Sequence, residues 1–554
     1  MKPTINKLRL SAVPVILIVV LALFWGRLGY LQFFHPRNLG ETAKEQARLI
    51  REIPPFRGKI LDRTREELAV DLRLYSLGVN ARAVSDPDGL AERLETILGM
   101  EPSYLRDRLS RDKSFVWVAR QLEEQQSEAL RALNDPALEL RSEWKRLYPN
   151  QDLAAHVMGF TGLDHYGLEG VELKYDSYLK GIPGWKATQK DAKQREVVAR
   201  QSDFVLPVNG YDVTLSLDIV LQHLGEKALN AACEKHHAQS GSLVVMRAST
   251  GDVLVMANMP GFDPNAPGDA DPEARRTRAL TDMYEPGSVF KIFTVSGALN
   301  EKLVAPEEKI DCENGTYRTG GRVLHDVHGY GMLPVKDIVA KSSNIGTSKI
   351  AERLGKEGLY DYLKKFGFGE ATGIDLPGEI PGVLRRPKDW SAPSLSCIAM
   401  GQEVGLTAIR LASAVGAIAN GGILMKPRIV MDIREYGQIV KSFPVTPRRR
   451  VISPKTAEVM RAMMTLVVRE GTGKRADIPG AVVGGKTGTA QKIGPDGAYS
   501  HDHFFASFGG FVEKEGEMFT ILVSIDDPHP YYYGGTVAAP VFREMAEAIL
   551  DYWE

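Results

Sequence analysis

Residues Met283–Asn300 read MYEPGSVFKIFTVSGALN, and the reading of the whole chain turns on them. Pro286-Gly287 marks a turn, and the apolar run that follows has helical spacing, so Ser288 stands at the start of a helix with Lys291 three residues on. Positions i and i+3 share a helix face, which brings the lysine amine within reach of the serine hydroxyl. A serine alone is a poor nucleophile, and an amine becomes its base only when burial or a nearby positive charge lowers the amine pKa. A serine at a helix start also offers its own N–H to a developing oxyanion.

The same S-x-x-K spacing recurs at Ser110, Ser142 and Ser177, where surface helix is the default reading, so the pair alone decides nothing. Discrimination comes from two elements that each occur once, Ser342-Ser343-Asn344 and Lys486-Thr487-Gly488-Thr489. Their order after Ser288 is that of the serine penicillin-recognising enzymes. Ser342 can relay a proton to a leaving amine, and Asn344 can hold a substrate amide. Lys486 with the hydroxyls of Thr487 and Thr489 makes a cationic pocket for a terminal carboxylate, and Gly488 lets a strand approach the substrate closely. Singly, a helix cap explains the first element and a strand turn the second; jointly and in order, those readings lose their force.

Competing patterns are weaker. Gly480–Thr487, GAVVGGKT, satisfies the phosphate-loop spacing, but that loop needs a helix after Lys486. TGTAQKIGPDG instead runs into a Gly-Pro-Asp-Gly turn, so strand is expected and nucleotide binding is not. Cys312, His325, Asp326 and His328 suggest a metal site, yet C-x12-H-x2-H fits no standard four-ligand set and reads as polar loop. No metal or other cofactor is expected. Cys233, Cys312 and Cys397 are odd in number and far apart, so they define no disulfide framework. Lys and Arg total 69 against 70 Asp and Glu, which gives no field drawing the chain to nucleic acid; Arg448, Arg449 and Arg450 read as solvated surface.

At the N-terminus, Lys2, Lys7 and Arg9 precede the apolar run Leu10–Gly26, which LGYLQFF extends beyond Arg27. Roughly 17 to 25 residues suffice to cross a bilayer. No A-x-A-like cleavage site follows, so an uncleaved signal anchor over residues 10–34 is expected. Basic residues on the short side place residues 1–9 in the cytoplasm and the remainder outside. Residues 35–230 read as a separate non-catalytic domain. Charged amphipathic helices such as SEALRALNDPALEL, Ser127–Leu140, are expected to dominate it from about Pro87 to Asn230. Asp218–His237 reads as an amphipathic helix and Ser240–Pro260 as a strand hairpin turning at Ser249–Asp252. The hairpin opens a final domain, residues 231–554, whose mixture of strands and helices points to an α+β or α/β arrangement.

With these residues in place, the chain resembles the class B penicillin-binding proteins, the monofunctional peptidoglycan D,D-transpeptidases, over nearly its whole length. RGKILDRTREELA, Arg57–Ala69, is similar to the family's RGxIxDRNGxxLA, with Thr64 and Arg65 in place of Asn-Gly. RLYPNQDLAAHVMGF, Arg146–Phe160, and GLEGVELKYDSYLKG, Gly167–Gly181, are similar to the next two signatures, with Glu169 and Glu172 on the acidic positions of the latter. FGFGEATGIDLPGE, AIANGG and the ending YYYGGTVAAPVF also match, and that ending with a single anchor looks like the division-specific septal branch.

The resemblance implies an α+β multidomain fold. A transmembrane helix leads into an elongated non-catalytic pedestal of dimerisation type, followed by a transpeptidase domain of antiparallel sheet flanked by helices. It implies Ser288 as nucleophile, Lys291 as general base, Ser342 and Lys486 as proton-relay partners and Asn344 as the residue that orients the donor peptide. Thr487 and Thr489 would bind the donor carboxylate beside Gly488, with the N–H groups of Ser288 and Thr489 as oxyanion hole. Donor and acceptor would be peptidoglycan stem peptides, and β-lactams would be covalent inhibitors. Expected partners are a membrane glycosyltransferase of the septal type and other division proteins, on the outer side of the cytoplasmic membrane. A β-lactamase or β-lactam sensor, and a division scaffold indifferent to catalysis, are the alternatives.

Overall fold

The computed structural model describes residues 7–33, 48–190, 196–197, 204–494 and 497–553. Residues 1–55 with 181–209 make one compact unit, and residues 56–180 with 210–554 make another. In the first, the helix Lys7–Phe33 is apolar enough over Ala12–Phe33 to cross a membrane. Leu17, Leu23, Phe24 and Trp25 on it are exposed, an arrangement unfavourable in water and favourable in hydrocarbon. The span expected over residues 10–34 coincides with this helix up to Phe33; residues 1–6 and 34–47 lie outside the described residues. The same unit holds a small antiparallel sheet in which Gly184–Lys190 pairs with Arg48–Ile53, Glu196–Val197 and Phe204–Val205.

The second unit contains a five-stranded antiparallel sheet in the spatial order Val253–Met259, Ser240–Arg247, Glu517–Asp526, Tyr499–Lys514, Val483–Ile493. Successive side chains leave a strand on opposite faces. Val244 and Met246 accordingly enter one core with Val289, Phe290 and Phe293, whereas Leu243 and Val245 enter another with Phe508, Val537 and Phe542. Burial on both faces is why SLVVM and VLVM read as unbroken apolar runs. Helices Ile219–Lys235 and Gly534–Tyr552 cover the second core; Lys291–Asn300 and the wholly buried Ala408–Ala419 belong to the first. A helix buried on every side is a core helix, which accounts for the small and apolar residues that make up AIRLASAVGAIA apart from the buried Arg410, whose Nη2 donates to Glu370 O at 2.9 Å.

One helix runs through positions 230 and 231, where the sequence pattern opened the final domain, and one sheet joins strands from either side of them. The helix Ile219–Lys235 continues across them and packs on the five-stranded sheet. In a seven-stranded sheet, Val430–Glu435 pairs with Asp212–Leu215, which pairs with Ile60–Leu61 and so leads to Glu67–Val79. Among the described residues from Pro87 to Asn230, the expected helices share the stretch with the strands Val116–Leu122 and Leu138–Leu147. In Ser127–Leu140 the helix stops at Ala132, and Leu138–Leu147 is a strand paired along Glu67–Val79. Pro136 disfavours helical backbone at Asp135, and the strand's partner lies too far away in sequence to leave a local signal.

The family-like signatures meet in space. Arg57 Nε donates to Glu172 Oε2 at 2.6 Å, and Arg146 Nε to Glu172 Oε1 at 2.7 Å. Arg146 Nη1 also reaches Asp71 Oδ1 at 3.1 Å, and Asp71 Oδ2 accepts from the Arg57 N–H at 2.7 Å. Burial alone would push the Glu172 carboxyl up, but the Arg146 and Arg57 charges hold it below its ordinary range. Asp62 Oδ1 closes the following turn by accepting from Thr64 N–H, the Thr64 hydroxyl and Glu66 N–H, with Arg65 at φ +76° where the family pattern has Gly. The turn survives without glycine because one carboxylate satisfies three donors. Arg63 then reaches Asp218 Oδ2 at 2.6 Å; Asp218 Oδ1 caps the helix Ile219–Lys235.

Candidate active site

Ser288 lies in the 3₁₀ turn Gly287–Phe290, directly before the α-helix Lys291–Asn300. In a 3₁₀ turn, side chains at i and i+3 eclipse, so Ser288 and Lys291 project to the same side, and the Lys291 N–H bonds back to the Ser288 carbonyl. Lys291 is fully buried although it carries an amine. Its Nζ donates to Ser342 O at 2.6 Å, Asn344 Oδ1 at 2.7 Å and Ser342 Oγ at 3.2 Å. Burial pushes this amine down to about 7, against the opposing pull of the Asp326 charge. A sizeable fraction is therefore neutral near pH 7, the state in which the nitrogen can take a proton.

Ser342 closes the helix Val335–Lys341 in left-handed backbone, φ +59°, a conformation unfavourable for a serine. Ser343 caps the helix Asn344–Lys365, its hydroxyl accepting from Gly346 N–H at 2.9 Å. The element is thus a helix cap and a site element at once: the cap fixes the backbone that aims Ser342 and Asn344 at Lys291.

Lys486 approaches from the strand Val483–Ile493, and its buried Nζ lies 3.0 Å from Ser342 Oγ. Burial and then the Lys291 charge drive this amine well below its ordinary range. One hydroxyl therefore sits between two buried amines that disfavour each other's protonation. Because Lys486 is in mid-strand with no helix after it, the phosphate-loop pattern has no structural counterpart. Gly488 follows, where an added Cβ would lie 2.6 Å from Pro286 O and 2.9 Å from Val289 Cγ2. The strand thus runs against the turn that carries Ser288 with no space for a side chain. From the other side, a Cβ on Gly401 would lie 2.2 Å from Gly287 O.

Three contributors were not singled out for this site from the sequence. Thr472 Oγ1 lies 2.8 Å from Thr487 Oγ1, and the Gly534 N–H donates to Thr489 Oγ1 at 3.1 Å. Asp326, read above as polar loop, accepts from the Ser343 hydroxyl at 2.6 Å and from the N–H groups of Asn344 and Ile345. The Gly-Gly of the terminal signature and the Gly-Thr-Gly at 471–473 were visible signals, but nothing local ties either to the Lys486 strand. The other S-x-x-K serines sit differently: Ser110 follows a helix end, Ser177 lies in the short helix Asp176–Leu179, and Ser142 is on a strand rather than a helix.

The chain is similar to known proteins over nearly its whole length. The model of the penicillin binding protein transpeptidase domain matches residues 241–547, and that of the penicillin-binding protein dimerisation domain matches residues 52–215. The probable peptidoglycan D,D-transpeptidase PenA of Neisseria meningitidis is 34% identical over 99% of this chain and 94% of its own. Peptidoglycan D,D-transpeptidase FtsI of Escherichia coli is 32% identical over 96% and 90%, and stage V sporulation protein D of Bacillus subtilis 33% over 95% and 82%. Among solved structures, penicillin binding protein 3 of Mycobacterium tuberculosis complexed with aztreonam superposes with a TM-score of 0.70 at 28% identity, covering 90% of this chain and 97% of that one.

The chain belongs to the class B penicillin-binding proteins and is a peptidoglycan D,D-transpeptidase.

Proposed function

We propose that Ser288 carries the acyl group of this transpeptidase. Neutral Lys291 takes the hydroxyl proton as Ser288 Oγ bonds to the carbonyl carbon of the penultimate D-alanine in the donor stem peptide. The negative charge that develops on the carbonyl oxygen is met by the N–H groups of Ser288 and Thr489. Collapse breaks the peptide C–N bond, and a proton passes through the Ser342 hydroxyl, poised between Lys291 and Lys486, to the departing D-alanine amine. An amine of a neighbouring stem peptide then attacks the ester, forms the cross-link, and returns a proton to Ser288. Asn344 orients the donor amide, while Lys486, Thr487 and Thr489 receive its carboxylate beside Gly488. The observation that carries the reading is the convergence of two buried amines on Ser342 Oγ, at 3.2 Å and 3.0 Å.

In this reading residues 1–9 are cytoplasmic, the apolar N-terminal helix anchors the chain in the cytoplasmic membrane, and the part after it works on the outer side. The segment ahead of the helix Ile219–Lys235 serves as a non-catalytic pedestal, and the remainder as the transpeptidase domain. Septum formation, beside a septal glycosyltransferase and other division proteins, is supported by the YYYGG ending and by the FtsI relative. Labelled penicillin followed by peptide mapping tests the chemistry: the adduct is expected on the peptide containing Ser288 and is expected to vanish in Ser288→Ala. Label elsewhere, or none, defeats the assignment, and rapid turnover of a chromogenic cephalosporin replaces it with a β-lactamase. The septal role is tested by depletion. Filaments lacking septa are expected, rescued by the wild-type gene and not by Ser288→Ala; full rescue by that variant makes the protein a scaffold.

A further inference from the structure

A second cluster of side chains lies beyond the acyl-transfer centre. Asp527 follows the strand Glu517–Asp526, and its N–H donates to Phe504 O at 2.9 Å, which ties it to the strand Tyr499–Lys514. The Asp527 side chain is only 4% exposed, and Gln239 Nε2 donates to its Oδ2 at 3.0 Å. Two imidazoles face the same carboxylate. His503 Nδ1 lies 2.9 Å from Oδ1 and 2.8 Å from Oδ2, and His529 Nε2 lies 3.3 Å from Oδ1. The rings stand nearly perpendicular with centroids 6.1 Å apart, and one ligand atom from each of the three residues lies within 4.8 Å of the others. The His529 backbone is fixed by its N–H, which donates to His236 O at 2.6 Å.

We propose that His503, Asp527 and His529 form a binding site for a divalent first-row transition cation. An ion pair would need only one imidazole for this carboxylate, and the second supplies the ligand count that a metal requires. Tetrahedral zinc with bonds of about 2.0–2.1 Å separates its ligand atoms by about 3.4 Å, which the cluster reaches with small side-chain rotations. Two imidazoles and one carboxylate suit zinc and its neighbours in the first row better than calcium or magnesium. Gln239 orients the carboxylate from behind, as an outer partner does in metal centres. His503 and His529 side chains remain 55% and 48% exposed, so water can complete the coordination. The proposal revises the expectation of no metal drawn from the sequence, where these residues lie in two separate segments.

The cation would act as a fastener, joining the start of one strand to the segment Asp527–Tyr533. That segment leads directly into Gly534, whose N–H holds Thr489. The test uses the untagged full-length protein after treatment with a chelator, titrated with Zn²⁺ by calorimetry and with Co²⁺ by visible absorption. One equivalent of saturable binding is expected, weakened on the order of tenfold or more by His529→Ala and by His503→Gln, and unchanged by His501→Ala. The melting temperature is expected to rise with Zn²⁺ in the wild type and in His501→Ala, and not in the other two. Absence of saturable binding, or equal binding in both the His503 and His529 variants, overturns the proposal and leaves an ordinary hydrogen-bonded cluster.

Discussion

The Asp326 carboxylate accepts the Ser343 hydroxyl at 2.6 Å, and so grips the residue between Ser342 and Asn344. Its other oxygen takes the first N–H groups of the helix Asn344–Lys365, where a negative charge is favoured by the helix dipole. Asp326→Asn keeps the shape but replaces an anionic acceptor with an amide that can turn its NH₂ toward these donors. Acylation by a fluorescent penicillin is expected to slow roughly tenfold and stability to fall by about 1–3 kcal/mol. Stopped-flow acylation alongside thermal melting checks both.

Lys291 should write its titration into the pH profile. Its folded-state pKa of about 7 lies below the ordinary lysine value, so the neutral base accumulates as pH rises through 7. The acylation rate constant is expected to climb through that point and level off above it. The stability sign follows from proton counts: between about 7 and 10.5 the unfolded lysine holds a proton that the folded one has lost. Rising pH therefore stabilises the fold through this group, by about 1 kcal/mol per pH unit. The melting temperature of the wild type relative to Lys291→Met is expected to increase from pH 7 to pH 10.

Gly488→Ala tests how closely the substrate strand must lie against the serine turn. Its methyl would meet the Pro286 carbonyl oxygen at 2.6 Å, which only a backbone shift can relieve. A loss of about 1–3 kcal/mol in stability is expected, with a fall in acylation rate larger than that of a surface alanine control. Unchanged acylation would show that the strand can retreat without consequence.

Glu172→Gln tests the buried charge cluster. It leaves Arg57 and Arg146, both buried, with less compensating charge. Removing one partner of such an assembly costs about 3–5 kcal/mol. Chemical denaturation is expected to show that loss, while acylation of the protein that remains folded stays near the wild-type rate.

The legibility of this protein divides by sequence distance. The S-x-x-K turn, the Ser342–Asn344 cap and the hairpin Ser240–Pro260 each lie within one short run of sequence, so local pattern revealed them. Lys486 was legible for a different reason: Lys486-Thr487-Gly488-Thr489 occurs once in the chain and follows Ser288 and Ser342-Ser343-Asn344 in order. Thr472, Asp326 and the Gly534 N–H act through contacts between residues 15 or more positions apart, and none carries a pattern that names its partner. Leu138–Leu140, the start of the strand Leu138–Leu147, was read with the preceding helix because its residues do not alternate cleanly between buried and exposed, and the partner Glu67–Val79 supplies the β geometry.

Crowding around the serine turn also limits how the protein can adapt to antibiotics. At Gly401 and Gly488 a side chain would meet main-chain oxygens, Gly287 O at 2.2 Å and Pro286 O at 2.6 Å, so drug exclusion cannot be achieved there without disturbing the native reaction. Resistance substitutions are therefore steered to the flanks of the cleft, where the residues that shape drug access are not the ones that hold the turn in place.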